Sequence, residues 1–123
     1  MHKVLLVEDE KILRDAYTIL LEAQPQYHLD VATNGQEAVD LCQKTSYDLI
    51  LLDLMMPVLD GVGFLKKANL KVKSPHTKVV VMSNLSTNEG LTKAIKLGVS
   101  RHEVKSSLSP SEVLSVIRQE LGT

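Results

Sequence analysis

The sequence has few cysteines and little net charge, and each scarcity argues against a class of protein. Its 123 residues include one cysteine, Cys42, so no disulfide can form within the chain, and a reducing cytoplasm is the simplest setting. Lys and Arg number 14 against 15 Asp and Glu, a net charge of −1 with His neutral. A general electrostatic attraction to nucleic acid or anionic lipid is therefore not indicated.

Long apolar runs are also lacking. No run approaches the roughly 20 residues that a membrane-spanning helix needs. The start, MHKVLLVEDE, places acids directly after a short apolar run, which is unlike a signal peptide. No repeat, linker or low-complexity tract interrupts the chain, and 44% of its residues are hydrophobic, enough to build a core. We therefore expect one domain over residues 1–123, with no membrane segment.

Short apolar runs predict the strands of a parallel sheet. Four of them have strand length: KVLLV (3–7), HLDVA (28–32), DLILLD (48–53) and KVVVM (78–82). Three of the four are almost continuously hydrophobic, which is typical of strands that are covered on both faces. RHEV (101–104) has a poor strand composition and is predicted as a fifth strand only from the alternation of elements around it. The segment KVKSPHTK (71–78) is the most loop-like.

Helical periods separate these strands. Five helices are predicted: 10–23, the segment TNGQEAVDLCQKT, 62–71, 88–98 and SPSEVLSVIRQELG. The first should bury one apolar stripe, formed by Ile12, Leu13, Ala16, Ile19, Leu20 and Ala23. The last should bury Val113, Leu114, Val116, Ile117 and Leu121. The order of elements is a strand followed by a helix, repeated five times, which predicts an α/β fold with a parallel sheet.

Capping residues mark several helix ends. Asn34 with Glu37, and Ser109 with Glu112, have the spacing of a capping box, and Pro110 suits a first helical position. Gly98 is a natural C-terminal stop. Cys42 falls within an apolar helical pattern and is interpreted as core packing rather than redox chemistry.

Polar residues follow the predicted strands, at one edge of the sheet. In the stretch YDLILLDLMMP, Asp53 stands at the mouth of a core strand, where a carboxylate is costly to desolvate. Ligands of open parallel sheets bind at the carboxyl ends of the strands. The residues expected there are Glu8, Asp9, Asp53, Ser83, Asn84 and Lys105.

These side chains together favour phosphoryl transfer. Carboxylates that repel one another need a cation, and oxygen ligands without His or Cys favour Mg²⁺ or a similar hard ion such as Mn²⁺. Lys105 and the Ser83 hydroxyl would suit an anion, and Asp53, between the cation and Lys105, could receive a phosphoryl group. Each residue alone also has a plain explanation: helix-dipole charges, a strand-end cap, a turn residue and a surface lysine.

The motifs resemble those of the receiver domains of two-component response regulators, over essentially the whole chain. VLLVEDE matches the first-strand motif, DLILLDLMMPVLDG the central motif, VVVMSN the hydroxyl position and GVSRHEVKS the lysine position. The resemblance implies a flavodoxin-like three-layer fold with strand order 2-1-3-4-5. It implies no conventional enzyme activity beyond the chain's own phosphorylation and dephosphorylation.

The resemblance also implies roles and partners. Asp53 would accept a phosphoryl group from a sensor histidine kinase or a histidine phosphotransfer protein, and Glu8, Asp9, Asp53 and the backbone carbonyl of Met55 would hold Mg²⁺. Lys105 and Ser83 would contact the phosphoryl oxygens. Movement of Ser83 would remodel the face of the fourth helix, fifth strand and fifth helix for a downstream protein target or an output domain. No output or DNA-binding domain is expected within residues 1–123.

The resemblance also makes a phosphorylation-dependent dimer through the same face possible. Such a dimer could use contacts from a set of charged residues: Lys93, Lys96, Arg101, Glu112 and Glu120. A solvated charged face is the plainer interpretation of these residues.

Three positions depart from the family pattern. His102 stands where receivers usually carry Tyr or Phe, and it is either an exposed polar variant or a residue that weakens switching or makes it pH-sensitive. Ser106 replaces the usual proline after the lysine; a trans peptide bond or a shifted loop is expected, because a cis bond without proline costs about 2.5–4 kcal/mol. Asn84 replaces a small residue and could narrow access to the phosphoryl group or hydrogen-bond to it.

Two apolar residues, Met55 and Leu85, flank the phosphoryl pocket by this resemblance. If they hinder water, the phosphoryl group should not be especially short-lived; otherwise they only cover the sheet edge. Met56 is expected to pack inward.

Three other interpretations compete. A flavin or nucleotide binder would need a Gly, Ser or Thr cradle after the first strand, where this chain has EDEK. A haloacid-dehalogenase-type phosphatase would need an acid at position 55. A degenerate receiver that works as a phosphorylation-independent interaction module is the third.

Overall fold

The computed structural model describes residues 1–84 and 88–123, without the side chain of Asn88, and builds one five-stranded parallel sheet. The strands are β1 (His2–Val7), β2 (Tyr27–Ala32), β3 (Leu49–Leu52), β4 (Lys78–Ser83) and β5 (Arg101–Val104). Their order, β2-β1-β3-β4-β5, confirms the predicted topology, and the weak RHEV strand forms with the predicted bounds. Within the described ranges, no helix is both long and apolar enough to cross a bilayer.

Helices cover both faces of the sheet and make three layers. The helices are α1 (Lys11–Glu22), α2 (Gly35–Lys44), α3 (Gly61–Ala68), α4 (Leu70–Lys73), α5 (Asn88–Lys96) and α6 (Pro110–Leu121), with a short 3-10 helix at Lys105–Ser107. Alternate strand residues point to opposite faces. One set, including Leu5, Ile50 and Val81, packs against α2, α3 and α5, whereas Val4, Leu51 and Val80 pack against α1 and α6.

Helix α1 buries only part of the predicted stripe: Leu13 and Leu20 pack partly buried against the core, as predicted. Ile12 and Ile19 are 85% and 73% exposed, whereas Tyr17 and Leu21 are buried. Apolar residues occur on two adjacent faces of this helix, and the face that meets the sheet is the one that carries the large Tyr17 ring. The prediction of the stripe through Ile12 and Ile19 is therefore wrong.

The predicted helix 62–71 is two helices. Helix α3 ends at Ala68, Asn69 takes a left-handed conformation with φ of 49°, and α4 follows. Asn tolerates this conformation better than most residues because its short side chain bonds locally. The first residues of the predicted loop 71–78 are therefore helical, and the fourth and fifth helices of the prediction correspond to α5 and α6.

The predicted caps are present, with one change. Ser109 and Glu112 make the complete capping box of α6, and Gly98 follows α5 with φ of 107°. Asn34 caps α2 by accepting a hydrogen bond from the Glu37 N–H at 2.9 Å. The Glu37 carboxylate, however, binds the N–H and hydroxyl of Thr33 rather than returning to Asn34, so this capping box is only half formed.

Candidate functional site

Four of the polar residues predicted from the sequence are buried together at the carboxyl edge of the sheet. Glu8, Asp53, Ser83 and Lys105 are 2%, 6%, 2% and 5% exposed. The sheet hydrogen bonding runs one step past the strands: the N–H of Glu8 donates to Ala32, and that of Asp53 donates to Val7. The backbone of the two acids is therefore as firmly held as the strands themselves.

Lys105 connects the acids of two different strands. Its Nζ lies 2.7 Å from Glu8 Oε1 and 3.2 Å from Asp53 Oδ2, and both carboxylates are buried. A third contact, to Glu10 Oε1 at 3.4 Å, involves a side chain that is mostly exposed. Removing Lys105 would leave two buried carboxylates without a compensating charge. The interpretation of Lys105 as a solvated surface lysine is therefore wrong.

Burial and charge shift the pKa values of this pair. Burial is the main cause that raises the pKa of Asp53 to about 6; Lys105 opposes the rise, and Glu8 adds to it. Burial acts to lower the pKa of Lys105, but its hydrogen bond to Glu8 and the charges of Asp53 and Glu8 outweigh this effect and raise it. Lys105 is thus a cation at neutral pH, beside a carboxylate that is harder to ionise than usual.

The donor set fits a hard divalent cation. Oxygens of Glu8, Asp9 and Asp53 lie within 4.8 Å of one another, and the group contains no His or Cys. Carboxylate oxygens in this arrangement suit Mg²⁺ or Mn²⁺. Glu8 is already engaged, because its second oxygen accepts a hydrogen bond from the N–H of Glu10. A cation at this place would therefore compete with Lys105 for shared carboxylates.

Arg14, a residue that the sequence analysis missed, holds the loop that carries the acidic pair. Its Nη1 donates to the carbonyl oxygens of Glu8 and Asp9, each at 3.1 Å. A cation one turn into α1, behind two acids, was the available signal. Fixing these carbonyls keeps the two carboxylates at the edge of the sheet.

A small pocket opens above Asp53. Its volume is about 150 Å³, and its lining includes Asp9, Asp53, Met55, Ser83, Asn84 and Lys105. Met55 stands at the rim, 61% exposed, and its N–H donates to Asp53 Oδ1 at 3.2 Å. Met56 packs partly buried against the core, as predicted. Leu85, the second predicted flanking residue, lies outside the described residues.

The three departures from the family pattern are placed as follows. His102 pairs with Val81 across the sheet and is partly buried, and its Nε2 is covered without a hydrogen-bond partner among the residues that the structure describes. The interpretation of His102 as a plainly exposed variant is therefore wrong. The bond before Ser106 is trans, since the described part of the chain contains no cis peptide. Asn84 Oδ1 accepts a hydrogen bond from the Ser106 N–H at 2.7 Å.

A larger cleft lies at the other end of the sheet, far from these acids. It has a volume of about 330 Å³ and is lined by Cys42, Tyr47, Ile50 and Thr77, among others. The Thr77 hydroxyl donates to the Tyr47 carbonyl and is bonded to Ser74, so these buried polar groups of the cleft satisfy one another. Burial raises the pKa of Cys42 to about 11, which agrees with the predicted packing role.

The known proteins that this chain resembles include a transcriptional regulatory protein and two receiver domains. The chain is 31% identical over 111 residues to the transcriptional regulatory protein YdfI of Bacillus subtilis, covering 89% of this chain and 50% of that protein. The chain thus spans half the length of this relative. The receiver domain of the Francisella response regulator 1452 has a TM-score of 0.80 at 29% identity, with 98% of this chain and 96% of that chain covered.

A third relative shows the same fold at lower identity. It is the receiver domain of the sensor histidine kinase PA1611 from Pseudomonas aeruginosa, described with a magnesium ion coordinated in its active-site cleft. Its TM-score is 0.83 at 20% identity, over 99% of this chain and 98% of that chain. The family described as the response regulator receiver domain matches residues 4–118. With strand order, carboxyl-edge acids and this match in agreement, the chain belongs to the response regulator receiver domain family.

Proposed function

We propose that the protein is a phosphoacceptor receiver domain and that Asp53 is the residue that becomes phosphorylated. The observation that carries this proposal is the burial of the Asp53 carboxylate against Lys105, at the floor of an open pocket of about 150 Å³. A structural ion pair needs no such opening. Phosphoryl transfer usually needs a divalent cation near the transferred group. Glu8 and Asp9, which lie beside Asp53, supply carboxylate oxygens that could bind such an ion.

The transfer is a displacement at phosphorus. An Asp53 oxygen forms a bond to phosphorus while the bond from phosphorus to the donor's imidazole nitrogen breaks, and that nitrogen keeps the bonding electron pair. The product is an acyl phosphate on Asp53. Lys105, a cation held 3.2 Å from Asp53, is placed to neutralise the charge on the transferred oxygens. The Ser83 hydroxyl, at the end of β4 and in the lining of the pocket, is the second proposed contact.

Glu8, Asp9, Asp53 and the Met55 carbonyl are the proposed ligands of Mg²⁺ or Mn²⁺. A bound ion supplies positive charge for the phosphoryl oxygens. The chain's own residues prepare the site: Arg14 fixes the loop of the acidic pair, and Lys105 shares its charge between Glu8 and Asp53 until the site is filled. The magnesium of the PA1611 receiver supports the same assignment here, through the shared fold.

The signal would leave through the face of α5, β5 and α6. Movement of Ser83 toward the phosphoryl group would shift the end of β4, and β5 is paired directly with that strand. We propose a histidine kinase or a histidine phosphotransfer protein as the donor, and a separate protein target or an output domain as the receiver of the signal. Residues 1–123 would act as one receiver domain.

Arg101, Glu112 and Glu120, three of the charges proposed for a dimer, have partners within the chain. Arg101 lies 3.0 Å from Glu103 and 3.6 Å from Glu120, and Glu112 belongs to the capping box of α6. A dimer through this face would need to rearrange these contacts, or to add to them after phosphorylation.

The degenerate receiver is the second candidate function, and the partly buried His102 favours it. An imidazole whose Nε2 is covered and finds no acceptor or donor among the described residues replaces the usual aromatic ring there. Such a residue could hold the α5–β5–α6 face in one state whether or not Asp53 is phosphorylated.

The deciding experiment is intact-protein mass spectrometry after incubation with acetyl phosphate, with and without Mg²⁺. Asp53→Asn is the test variant, and Asp40→Asn is the matched control, because Asp40 is exposed on α2 and, among the described residues, bonds only to Gln36 on its own helix. We expect a Mg²⁺-dependent gain of one phosphoryl group in the wild type and in Asp40→Asn, and none in Asp53→Asn. Folded wild type that gains no mass would leave the phosphorylation-independent module as the function.

A further inference from the structure

Asn84 and Ser106 join the two loops that border the phosphoacceptor pocket. Ser106 lies in the first turn of the 3-10 helix Lys105–Ser107. The first N–H groups of such a helix have no partner within it and must be satisfied from outside. Asn84 Oδ1 accepts the Ser106 N–H at 2.7 Å, across 22 residues of sequence. The side chain thus supplies the acceptor that the helix lacks.

This hydrogen bond continues the sheet beyond its last backbone pair. The pairing of β4 with β5 ends at Ser83 and Val104. Asn84 is the next residue after one strand, and Lys105 and Ser106 follow the other. The Asn84 side-chain amide therefore connects the segments that follow β4 and β5, one residue beyond the last backbone pair and at the border of the pocket.

Lys105 depends on the position of its backbone. Its ammonium is buried and makes contacts of 2.7 and 3.2 Å with carboxylates that are themselves fixed by the sheet. Hydrogen bonds weaken steeply beyond these distances. A shift of the peptide after Lys105 by about 1 Å would be enough to loosen the contacts that place its charge beside Asp53.

We propose that Asn84 is a positioning residue: its bond to the Ser106 N–H fixes the peptide after Lys105 and so holds the Lys105 ammonium against Glu8 and Asp53. The consequence for phosphorylation rests on the function proposed above. The positioning itself does not, because it concerns the unphosphorylated protein.

Asn84 and Ser106, two separate departures from the family pattern, are the two partners of one hydrogen bond. Proline at position 106 would have no N–H to donate, and an apolar residue at position 84 would leave the Ser106 N–H without this acceptor. This hydrogen bond therefore needs both departures: an acceptor side chain at position 84 and a backbone N–H at position 106. The direct contact between Asn84 and the phosphoryl group suggested by the sequence is the competing assignment.

The first test measures the hydrogen bond and the lysine in protein that has not been phosphorylated. Asn84→Ala should speed amide exchange of Ser106 about tenfold, since one hydrogen bond is worth about that factor. It should raise acetylation of Lys105 by acetic anhydride roughly threefold or more, as the lysine spends more time open. Asn84→Asp, which keeps an acceptor oxygen, and Ser106→Ala, which keeps the N–H, should match the wild type in the protection factor of the amide at position 106, that is, in its exchange rate relative to the unstructured peptide.

Exposed lysines serve as the internal standard, with Lys3 and Lys78 read from the same mass spectra. Because Asn84 and Ser106 are both exposed, Asn84→Ala should leave the protein folded, and its loss of stability in urea unfolding should be no larger than the tenfold effect of the one hydrogen bond. Exchange at Ser106 that far exceeds global unfolding then separates local loosening from a loss of stability. Unchanged exchange of Ser106, or unchanged acetylation of Lys105, in Asn84→Ala would overturn the proposal.

The second test is a double-mutant cycle on the rate of phosphorylation by acetyl phosphate in Mg²⁺. Asn84→Ala should slow the reaction roughly three- to tenfold in the wild type and have no further effect in Ser106→Pro, which lacks the donor. Equal effects in both backgrounds would contradict positioning and favour direct contact with the phosphoryl group. If the wild type takes up no phosphate, the proposed function fails, and the exchange and acetylation results still decide the role of Asn84.

Discussion

Ionisation of the buried Asp53 side chain is unfavourable in the folded protein, and this lowers the stability of the fold at neutral pH. Its pKa in the folded protein is about 6, against an ordinary value of 3.8, so the folded state binds this proton more tightly than the unfolded state does. A carboxyl with a raised pKa contributes no penalty below the unfolded value. Its penalty grows as the pH rises through the window from about 4 to about 6, and it is complete above that window.

Asp53→Asn should therefore stabilise the protein at pH 7.5 when EDTA removes divalent cations. We expect a gain of roughly 1 to 3 kcal/mol in the free energy of unfolding, since each pKa unit corresponds to about 1.4 kcal/mol. The gain should shrink as the pH falls toward about 4. Urea unfolding of both proteins across this pH range measures it. A variant that is less stable at pH 7.5 would show that the attraction to Lys105 outweighs the burial of Asp53.

Some residues of the site could be predicted from the sequence, and others could not. The acids, the lysine and their common edge follow from the alternation of strands and helices, because parallel strands end on one side. The contact of Asn84 with Ser106 and the grip of Arg14 on two carbonyls do not follow. Each depends on the path of a loop backbone after a strand ends, and no periodic pattern encodes that path.

At the scale of elements, helix α6 is the one most fully specified by its own sequence. Ser109 accepts from the N–H of Glu112 and the Glu112 carboxylate accepts from the N–H of Ser109, with Pro110 at the first position. Ser109→Ala should lower the free energy of unfolding by about 1 kcal/mol. Ser115→Ala is the control, because Ser115 is exposed within the same helix and should change stability by less than about 0.5 kcal/mol. Urea unfolding compares them; equal losses would remove the capping box as a cause.

The junction between α2 and the loop before α3 depends on a glycine. A Cβ at Gly35 would collide with the carbonyl oxygens of Leu59 and Asp60, and the Gly35 N–H donates to Leu59 at 2.9 Å. Gly35→Ala should destabilise the protein by about 1–3 kcal/mol, because backbone must move.

The matched control for Gly35→Ala lies in α5. A Cβ at Gly90 would meet nothing within 4 Å among the described residues. Gly90→Ala should therefore raise stability, by about 0.5–1 kcal/mol, through helix propensity. The opposite signs of the two effects distinguish close packing from backbone entropy in thermal or urea unfolding; two stabilising substitutions would show that α2 can move away from Leu59.

Strands and helices could be predicted where a hydrophobic run was continuous or a capping residue was present. They were harder to predict where the sequence was compatible with two structures. The buried strands β1, β3 and β4 and the cap of α6 gave unambiguous patterns. Helix α1 offered two apolar faces, and only the sheet decided between Ile12 and Tyr17. The break at Asn69 depended on a single left-handed residue, which a propensity sum over a window cannot show.

For the whole molecule, the proposed cation site predicts that stability should rise when a divalent cation is added. Glu8 and Asp9 follow β1 and Asp53 follows β3, so an ion among them would join two strands of the native state, and the unfolded chain would not hold these acids together. Ligands that bind only the folded state stabilise it by mass action, by about 2.7 kcal/mol at a concentration 100 times the Kd. The ion's positive charge would also act against the burial and the Glu8 repulsion that together raise the pKa of Asp53.

Mg²⁺ should therefore raise the thermal unfolding midpoint of the wild type in a concentration-dependent way. Asp9→Asn should remove most of this rise, because it deletes one of the three clustered carboxylates and leaves the contacts of Lys105 with Glu8 and Asp53 in place. Asp40→Asn, with its carboxylate on the exposed face of α2, should keep the full effect. Differential scanning fluorimetry across a Mg²⁺ titration at constant ionic strength measures the three proteins. An equal rise in all three would mean that the ion acts through general screening rather than at the carboxyl edge of the sheet.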